Sequence, residues 1–112
     1  MTDWNAYRDN LKQNVKVLAK LSPNTLDGLQ TLEKVAPEHK HLDAKTRELI
    51  SLAVAVTTRC DGCIAVHTVA AKEAGASKEE IAEALGVAVA LNAGAALVYS
   101  SRALEAFDSV KE

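Results

Sequence analysis

Apolar residues recur at three- and four-residue steps along most of the 112-residue chain, which is the spacing of amphipathic helices. The first such face is formed by Trp4, Tyr7, Leu11, Val15 and Leu18. A second helix is predicted to begin at Ser22-Pro23, with the serine as N-cap and the proline in the first turn, and to end before Pro37. The polar segment 38–41, which holds His39 and His41, predicts a solvated loop.

Two more helices are predicted around the middle of the chain. Asp43 is placed to cap the third helix, which is apolar nearly all round and is therefore expected to be central and buried. It should end near residues 57–58. A fourth helix is predicted to start near Cys60 and to stop at Gly75, a residue type suited to the position after a helix end.

The last third of the chain predicts two helices separated by a break. Ser77 and Glu80 have the spacing of a capping box, which opens the fifth helix. Asn92 and Gly94 predict a break or kink, and a sixth helix would then turn Leu97, Leu104 and Phe107 inward. The two-residue alternation typical of strands is missing. The sequence therefore predicts an all-α bundle of about six helices, forming a single domain over residues 1–112.

Composition and charge exclude several classes of partner. Hydrophobic residues make up 48% and charged residues 25%, and the net charge is −2 with no basic stripe, so nucleic acid is not expected as a partner.

Residues 1–5 lack the features of a signal peptide. The longest apolar stretch, 84–99, is interrupted by Gly86, Asn92 and Gly94, which predicts no membrane span. We therefore expect a cytoplasmic protein, a compartment in which a purely structural disulfide is unusual.

The segment 59–67 carries the candidate chemistry. Cys60 and Cys63 are three residues apart and His67 follows four residues later, so on a helix all three side chains share one face. Cα atoms at that separation are about 5 Å apart, which a disulfide tolerates. The start of a helix also stabilises a thiolate, the nucleophile of peroxide attack and disulfide exchange. Inert buried cysteines or a metal site would be the alternatives, although a zinc site lacks its usual second ligand pair.

Glu48 joins this group by a geometric argument. If the third and fourth helices form an antiparallel hairpin that turns near residues 58–59, Glu48 lies within about one helical turn of the level of His67. A carboxylate in an otherwise apolar helix needs a partner, and an imidazole beside a thiol would make a proton relay. The alternative is an exposed carboxylate that interacts favourably with the helix start.

The pattern of Glu48, eleven residues, Cys60-x-x-Cys63, three residues and His67 resembles the signature of the AhpD-like alkylhydroperoxidases, which belong to the carboxymuconolactone decarboxylase superfamily. The resemblance implies an AhpD-like helical fold and a peroxidase. In this resemblance Cys63 is the peroxidatic cysteine, Cys60 is the proton donor and resolving thiol, and Glu48 and His67 form the relay. It also implies a homo-oligomer, often a trimer or hexamer.

The resemblance has one departure and leaves other functions open. The best-studied alkylhydroperoxidases have a histidine just before the second cysteine, where this chain has Gly62. The expected function is a thiol-dependent oxidoreductase that reduces a small peroxide, without cofactor or metal, and is reduced in turn by a protein or a dithiol. The alternatives are a carboxymuconolactone decarboxylase-type lyase using Glu48 and His67 as acid and base, and a non-enzymatic redox-sensing helical oligomer.

Overall fold

The computed structural model describes residues 1–111. Over these residues the chain forms five α-helices and no strand, which confirms the all-α class but not the predicted number of about six helices. The helices are α1 (Trp4–Leu21), α2 (Pro23–Glu33), α3 (Ala44–Thr58), α4 (Asp61–Glu73) and α5 (Lys78–Asp108), and one 3₁₀ turn (Pro37–His39) lies between α2 and α3.

Helices α3 and α4 form the hairpin on which the candidate site is built. Asp43 caps α3 by accepting a hydrogen bond from the Thr46 N–H at 2.7 Å, and this backbone bond holds the pKa of the Asp43 carboxyl below its usual value. At the other end, Arg59 ends α3 in the left-handed conformation with φ 55°. This single turn residue reverses the chain, and α4 begins two residues later.

The turn between α4 and α5 is fixed by local chemistry that the sequence predicted. Gly75 takes a positive φ of 87° after α4 ends, where a side chain would be strained. The Ser77 hydroxyl accepts from the Glu80 N–H, and the Glu80 carboxylate accepts from the Ser77 N–H, both at 3.0 Å. Lys45 of α3 donates to the same carboxylate at 2.8 Å and so links the start of α5 to the start of α3.

This ion pair makes the stability of the α4–α5 turn depend on acidity. The hydrogen bond from Lys45, followed by that from the Ser77 backbone, lowers the pKa of Glu80 from its ordinary 4.5. The stabilisation is therefore present above about pH 4.5 and is lost as the pH falls through the lower folded pKa.

We expect Glu80→Gln to lower the free energy of unfolding at neutral pH, and the difference from wild type to shrink as the pH falls to about 3. Urea unfolding at a fixed protein concentration measures this. Glu83→Gln, an exposed carboxylate on the same helix, is the control and should give a smaller difference. A wild-type advantage over Glu80→Gln that persisted at low pH would mean that the carboxylate charge does not stabilise the turn.

The predicted break at Asn92 and Gly94 is wrong, because α5 runs without interruption for 31 residues. The Asn92 amide donates to the Ala88 carbonyl of its own helix at 2.7 Å and to the Thr57 hydroxyl of α3 at 2.9 Å. It therefore ties α5 to α3 instead of ending the helix. Gly94 lowers helix stability by about 1 kcal/mol relative to alanine, but the alanines around it have the highest helix propensity.

The prediction that a sixth helix turns its apolar side chains inward is also wrong. Leu97, Leu104 and Phe107 lie on the second half of α5 and are all more than 70% exposed. The apolar periodicity correctly identified an apolar face on this part of α5. That face stays exposed because α3 is the only other helix that α5 contacts in residues 1–111. No segment of the described chain covers this half of α5.

Helix α5 is also long and apolar enough to cross a membrane, judged by length and composition alone. Its most apolar 18-residue window has a mean hydropathy of 1.8, so the sequence argument that residues 84–99 fall short of a span does not hold. One such helix is weak evidence, since core helices of soluble proteins meet the same two criteria.

The hydrophobic core of a single chain is small. The buried hydrophobic residues in the described part of the chain are Leu52, Ala55, Ala65, Ala71 and Ala88, so four of the five are alanine. Helix α3 is central in the sense that it contacts both α4 and α5. It is not fully buried as predicted, because Ile50 and Val54 remain about half exposed.

Candidate functional site

The two cysteines form a disulfide at the start of α4. Cys60 is the N-cap residue, and Cys63 lies in the first turn, with their Cα atoms 5.2 Å apart. The Cys63 N–H donates to Sγ of Cys60 at 3.1 Å. Both residues are partly exposed.

The position of the disulfide suits thiolate chemistry. The first turn of a helix has N–H groups without helical partners, and the helix dipole is positive there. Once the disulfide is reduced, these groups favour negative charge on a sulfur at this end of α4. The sequence places the pair at this point because the left-handed Arg59 ends α3 immediately before Cys60.

Glu48 and His67 lie side by side on the facing helices of the hairpin. Nδ1 of His67 is 2.6 Å from Oε2 of Glu48, and both side chains are less than 30% exposed. A protonated imidazole makes this contact an ion pair, and a neutral one makes it a hydrogen bond donated by Nδ1. Because Nδ1 is engaged by the carboxylate, Nε2 is the ring nitrogen left to exchange protons with a thiol or a substrate.

His67 and Cys63 are one turn apart on the same helix, with the histidine on the C-terminal side. The structure therefore pairs Glu48 with His67 and Cys60 with Cys63, and α4 carries the histidine one turn from the second cysteine. The Glu48 carboxylate is fixed to one imidazole nitrogen and the cysteines lie at the helix start. An arrangement of this kind can move a proton between a thiol and a bound molecule.

A cleft of about 730 Å³ opens beside the Glu48–His67 pair. Its walls come from the end of α2, the segment that leads into α3, the first half of α3, and His67 of α4. Three cationic residues line it, namely Lys34, Lys40 and Arg47. The volume is within the range of small-molecule sites, and the cleft gives the pair access to solvent and to ligands.

The sequence did not predict how α1 packs on α4. Arg8 donates through Nε to the Ala65 carbonyl at 2.7 Å and through a terminal nitrogen to the Thr68 hydroxyl at 3.1 Å. Leu11 of α1 covers Gly62, where a Cβ would lie 3.4 Å from its side chain. The signal in the sequence was an arginine beside the apolar face of the first helix.

The remaining histidines lie away from this group. His39 is in the 3₁₀ turn and His41 follows it, and both are exposed. Within residues 1–111, no cluster of three or more histidine, cysteine or acidic residues is arranged to hold a metal ion.

The fold and the site together define a class of protein: an all-helical chain with a disulfide-bonded cysteine pair at a helix start and a paired carboxylate and imidazole one turn further along the hairpin. Comparison with protein families gives this class a family. The model of the carboxymuconolactone decarboxylase family matches residues 23–106, from the start of α2 to near the end of α5. The chain belongs to the carboxymuconolactone decarboxylase family, which confirms the family resemblance found in the sequence.

Individual relatives agree with this membership. A solved structure, that of a carboxymuconolactone decarboxylase family protein from Legionella pneumophila in its apo form, has a TM-score of 0.72 and 34% identity, covering 94% of each chain. An uncharacterized protein of Haemophilus influenzae is 53% identical over 98% of this chain and 97% of its own length. An uncharacterized protein of Cupriavidus necator is 30% identical over 97% of this chain and 96% of its own.

Proposed function

We propose that the protein is a thiol-dependent peroxidase that reduces organic hydroperoxides through a dithiol–disulfide cycle. The observation that carries this proposal is the Cys60–Cys63 disulfide at the start of α4, with His67 one turn along and bonded to Glu48. The family includes both decarboxylases and peroxidases. The cysteine pair favours the redox branch, because an acid–base lyase has no use for a disulfide.

The first half-reaction oxidises Cys63. His67 takes the thiol proton, and the Cys63 thiolate attacks the terminal oxygen of the hydroperoxide. The oxygen–oxygen bond breaks, and the alkoxide leaves with the proton that His67 returns. The products are an alcohol and the sulfenic acid of Cys63. Glu48 orients the imidazole and stabilises its protonated form during this transfer.

The second half-reaction closes the disulfide. The Cys60 sulfur attacks the sulfur of the sulfenic acid, and hydroxide leaves with the Cys60 proton as water. One hydroperoxide has then accepted two electrons and the two thiols have lost two hydrogens. An external protein or dithiol reductant reopens the disulfide by thiol–disulfide exchange and restores both thiols. No cofactor takes part in either step.

Turnover with a dithiol reductant tests the proposal. Catalytic amounts of protein, an excess of dithiothreitol and an organic hydroperoxide should give alcohol at a rate proportional to protein concentration. Formation of alcohol no faster than in a protein-free control would overturn the proposal. If the protein instead released carbon dioxide from a carboxylated lactone, and Cys63→Ser did so equally well, a lyase would be the better assignment.

We also propose that the protein works as a homo-oligomer, a trimer or a hexamer. Large apolar side chains from the middle of α5 to just after its end are at least two-thirds exposed; they are Leu91, Leu97, Val98, Tyr99, Leu104, Phe107 and Val110. An apolar surface of this length is rare on a monomer, and the buried core of one chain is small. Association of several α5 helices would bury it.

We expect light scattering at micromolar concentration to give three or six times the 11.9 kDa of one chain. Leu97→Glu should lower this mass, because a charge in the buried interface is costly. Leu21→Glu, at an equally exposed leucine on α1, is the control and should keep it. A wild-type mass of one chain, or recovery only with membranes, would contradict the proposal.

We propose a cytoplasmic location for the cycle. The disulfide must be reduced after each turnover, and the cytoplasm maintains the thiol reductants that do so.

A further inference from the structure

Proton transfer between His67 and a thiol does not by itself require the cleft beside Glu48 and His67. The charged residues that line this cleft are mostly cationic. Lys34, Lys40 and Arg47 line it, and none of the three forms an ion pair with a described residue. The acidic lining residues are Glu33 and Glu48. Glu48 is already paired with His67, so three unpaired cations face one unpaired carboxylate, and the cleft carries a positive excess.

The cleft also has an apolar wall. Val35, Leu42 and Ile50 line it, and Leu42 and Ile50 are each about half exposed in the free protein. A cationic rim beside apolar side chains fits a molecule with a negative head and a hydrocarbon body. A purely inorganic anion would leave the apolar wall in water, and a neutral hydrocarbon would leave the cations unused.

One residue of the cleft lining, His67, lies on the helix that carries the cysteines, whereas Cys60 and Cys63 themselves do not line the cleft. His67 is part of its lining, and Cys63 precedes His67 by four residues, which is about 6 Å along a helix. A ligand with its head at the cations and its body along the apolar wall would therefore have to extend past the imidazole and about one helical turn beyond the cleft to reach the Cys63 sulfur. This placement brings the leaving oxygen to the imidazole that protonates it.

We propose that the cleft selects hydroperoxides that carry a carboxylate at the end of an apolar chain, such as hydroperoxides of medium-chain fatty acids. This inference rests on the proposed peroxidase function and names its substrate class. The carboxylate binds Lys34, Lys40 and Arg47, the chain lies on the apolar wall, and the hydroperoxide reaches Cys63. The chemistry is the same two-electron reduction, with the hydroxy acid as product.

A matched pair of substrates tests this inference: a medium-chain hydroperoxy fatty acid and its methyl ester, which differ in charge at the head. Wild-type protein should show kcat/KM for the acid on the order of tenfold above that for the ester, the size expected from a few solvent-exposed ion pairs. The preference should appear chiefly in KM and should shrink as salt is raised, because salt screens exposed charges.

Two variants assign the preference to the cleft. Arg47→Gln removes the cation closest in sequence to Glu48, and also affects a 3.4 Å contact to the Glu33 carbonyl. The double change Lys34→Gln and Lys40→Gln leaves that contact intact, and both lysines are exposed. Each variant should bring the acid-to-ester ratio toward one. Lys16→Gln on α1 is a matched control and should keep the wild-type ratio.

The outcomes separate this inference from the function it rests on. An acid preference that falls in both cleft variants and not in Lys16→Gln supports it. Equal turnover of acid and ester by wild type, or an acid preference that neither cleft variant lowers, overturns the inference and leaves the peroxidase proposal standing. Failure to reduce either substrate overturns the peroxidase proposal and the substrate class together.

Discussion

Cys63→Ser should abolish peroxide reduction, while Cys60→Ser should stop it after one turnover when no small-thiol reductant is present. Without the Cys63 sulfur there is no nucleophile for the peroxide, so no alcohol should form above the uncatalysed rate. With Cys63 present and Cys60 absent, the sulfenic acid forms but cannot close to a disulfide. Trapping with a sulfenic-acid reagent should therefore label Cys60→Ser to about one equivalent per chain and leave Cys63→Ser unlabelled.

The structure makes Cys60→Ser a conservative change. Cys60 is the N-cap of α4 and accepts from the Cys63 N–H, and serine is among the preferred N-cap residues. Helical content by circular dichroism should match wild type in both variants. If Cys63→Ser carried the label and Cys60→Ser did not, the two cysteines would have exchanged roles, with the N-cap sulfur attacking the peroxide.

Glu48→Gln should slow the reaction of Cys63 by about 10²–10⁴-fold, the usual range for general acid–base contributions. Glutamine keeps the size of the side chain and a hydrogen-bond acceptor, but it removes the negative charge that faces Nδ1 of His67 at 2.6 Å. His67→Ala should cause a loss of similar size. Because the two residues act as one unit, the double variant should be far less impaired than the product of the single losses predicts.

Alkylation of Cys63 against pH is the direct measurement, since only the thiolate reacts appreciably. It is best made in the Cys60→Ser background, where Cys63 is the only cysteine. Glu83→Gln, an exposed carboxylate on α5, serves as the charge-matched control. An unchanged alkylation profile in Glu48→Gln, with the helical content preserved, would show that Glu48 is only a structural partner of His67.

The parts of the fold that the sequence predicted are those set by neighbouring residues. Asp43, Gly75 and the Ser77–Glu80 pair act on backbone groups within a few positions, so their types and spacing mark the helix ends. The contact between Glu48 and His67 joins residues 19 positions apart, but it was predictable from the hairpin. A hairpin with its turn near Arg59 fixes which levels of α3 and α4 face each other.

The predictions that were wrong or missing concern residues whose partners are distant in the sequence. Asn92 predicted a break or kink, whereas its amide bonds to Thr57, 35 residues away in the sequence. The apolar periodicity near Leu97 and Phe107 shows which face of α5 is apolar, but it does not show what covers that face. The lining of the cleft was not predictable either, since it depends on how the end of α2 and the following segment pack beside α3.

The central claim is that Cys60 and Cys63 reduce a hydroperoxide by two electrons. Its most direct test is a single turnover of the fully reduced protein with limiting organic hydroperoxide and no external reductant, with thiols and alcohol counted together. The account predicts that each hydroperoxide consumed yields one alcohol and removes two thiols, joined within one chain as the Cys60–Cys63 disulfide. Hydroperoxide that persists beside two unreacted thiols per chain would contradict it.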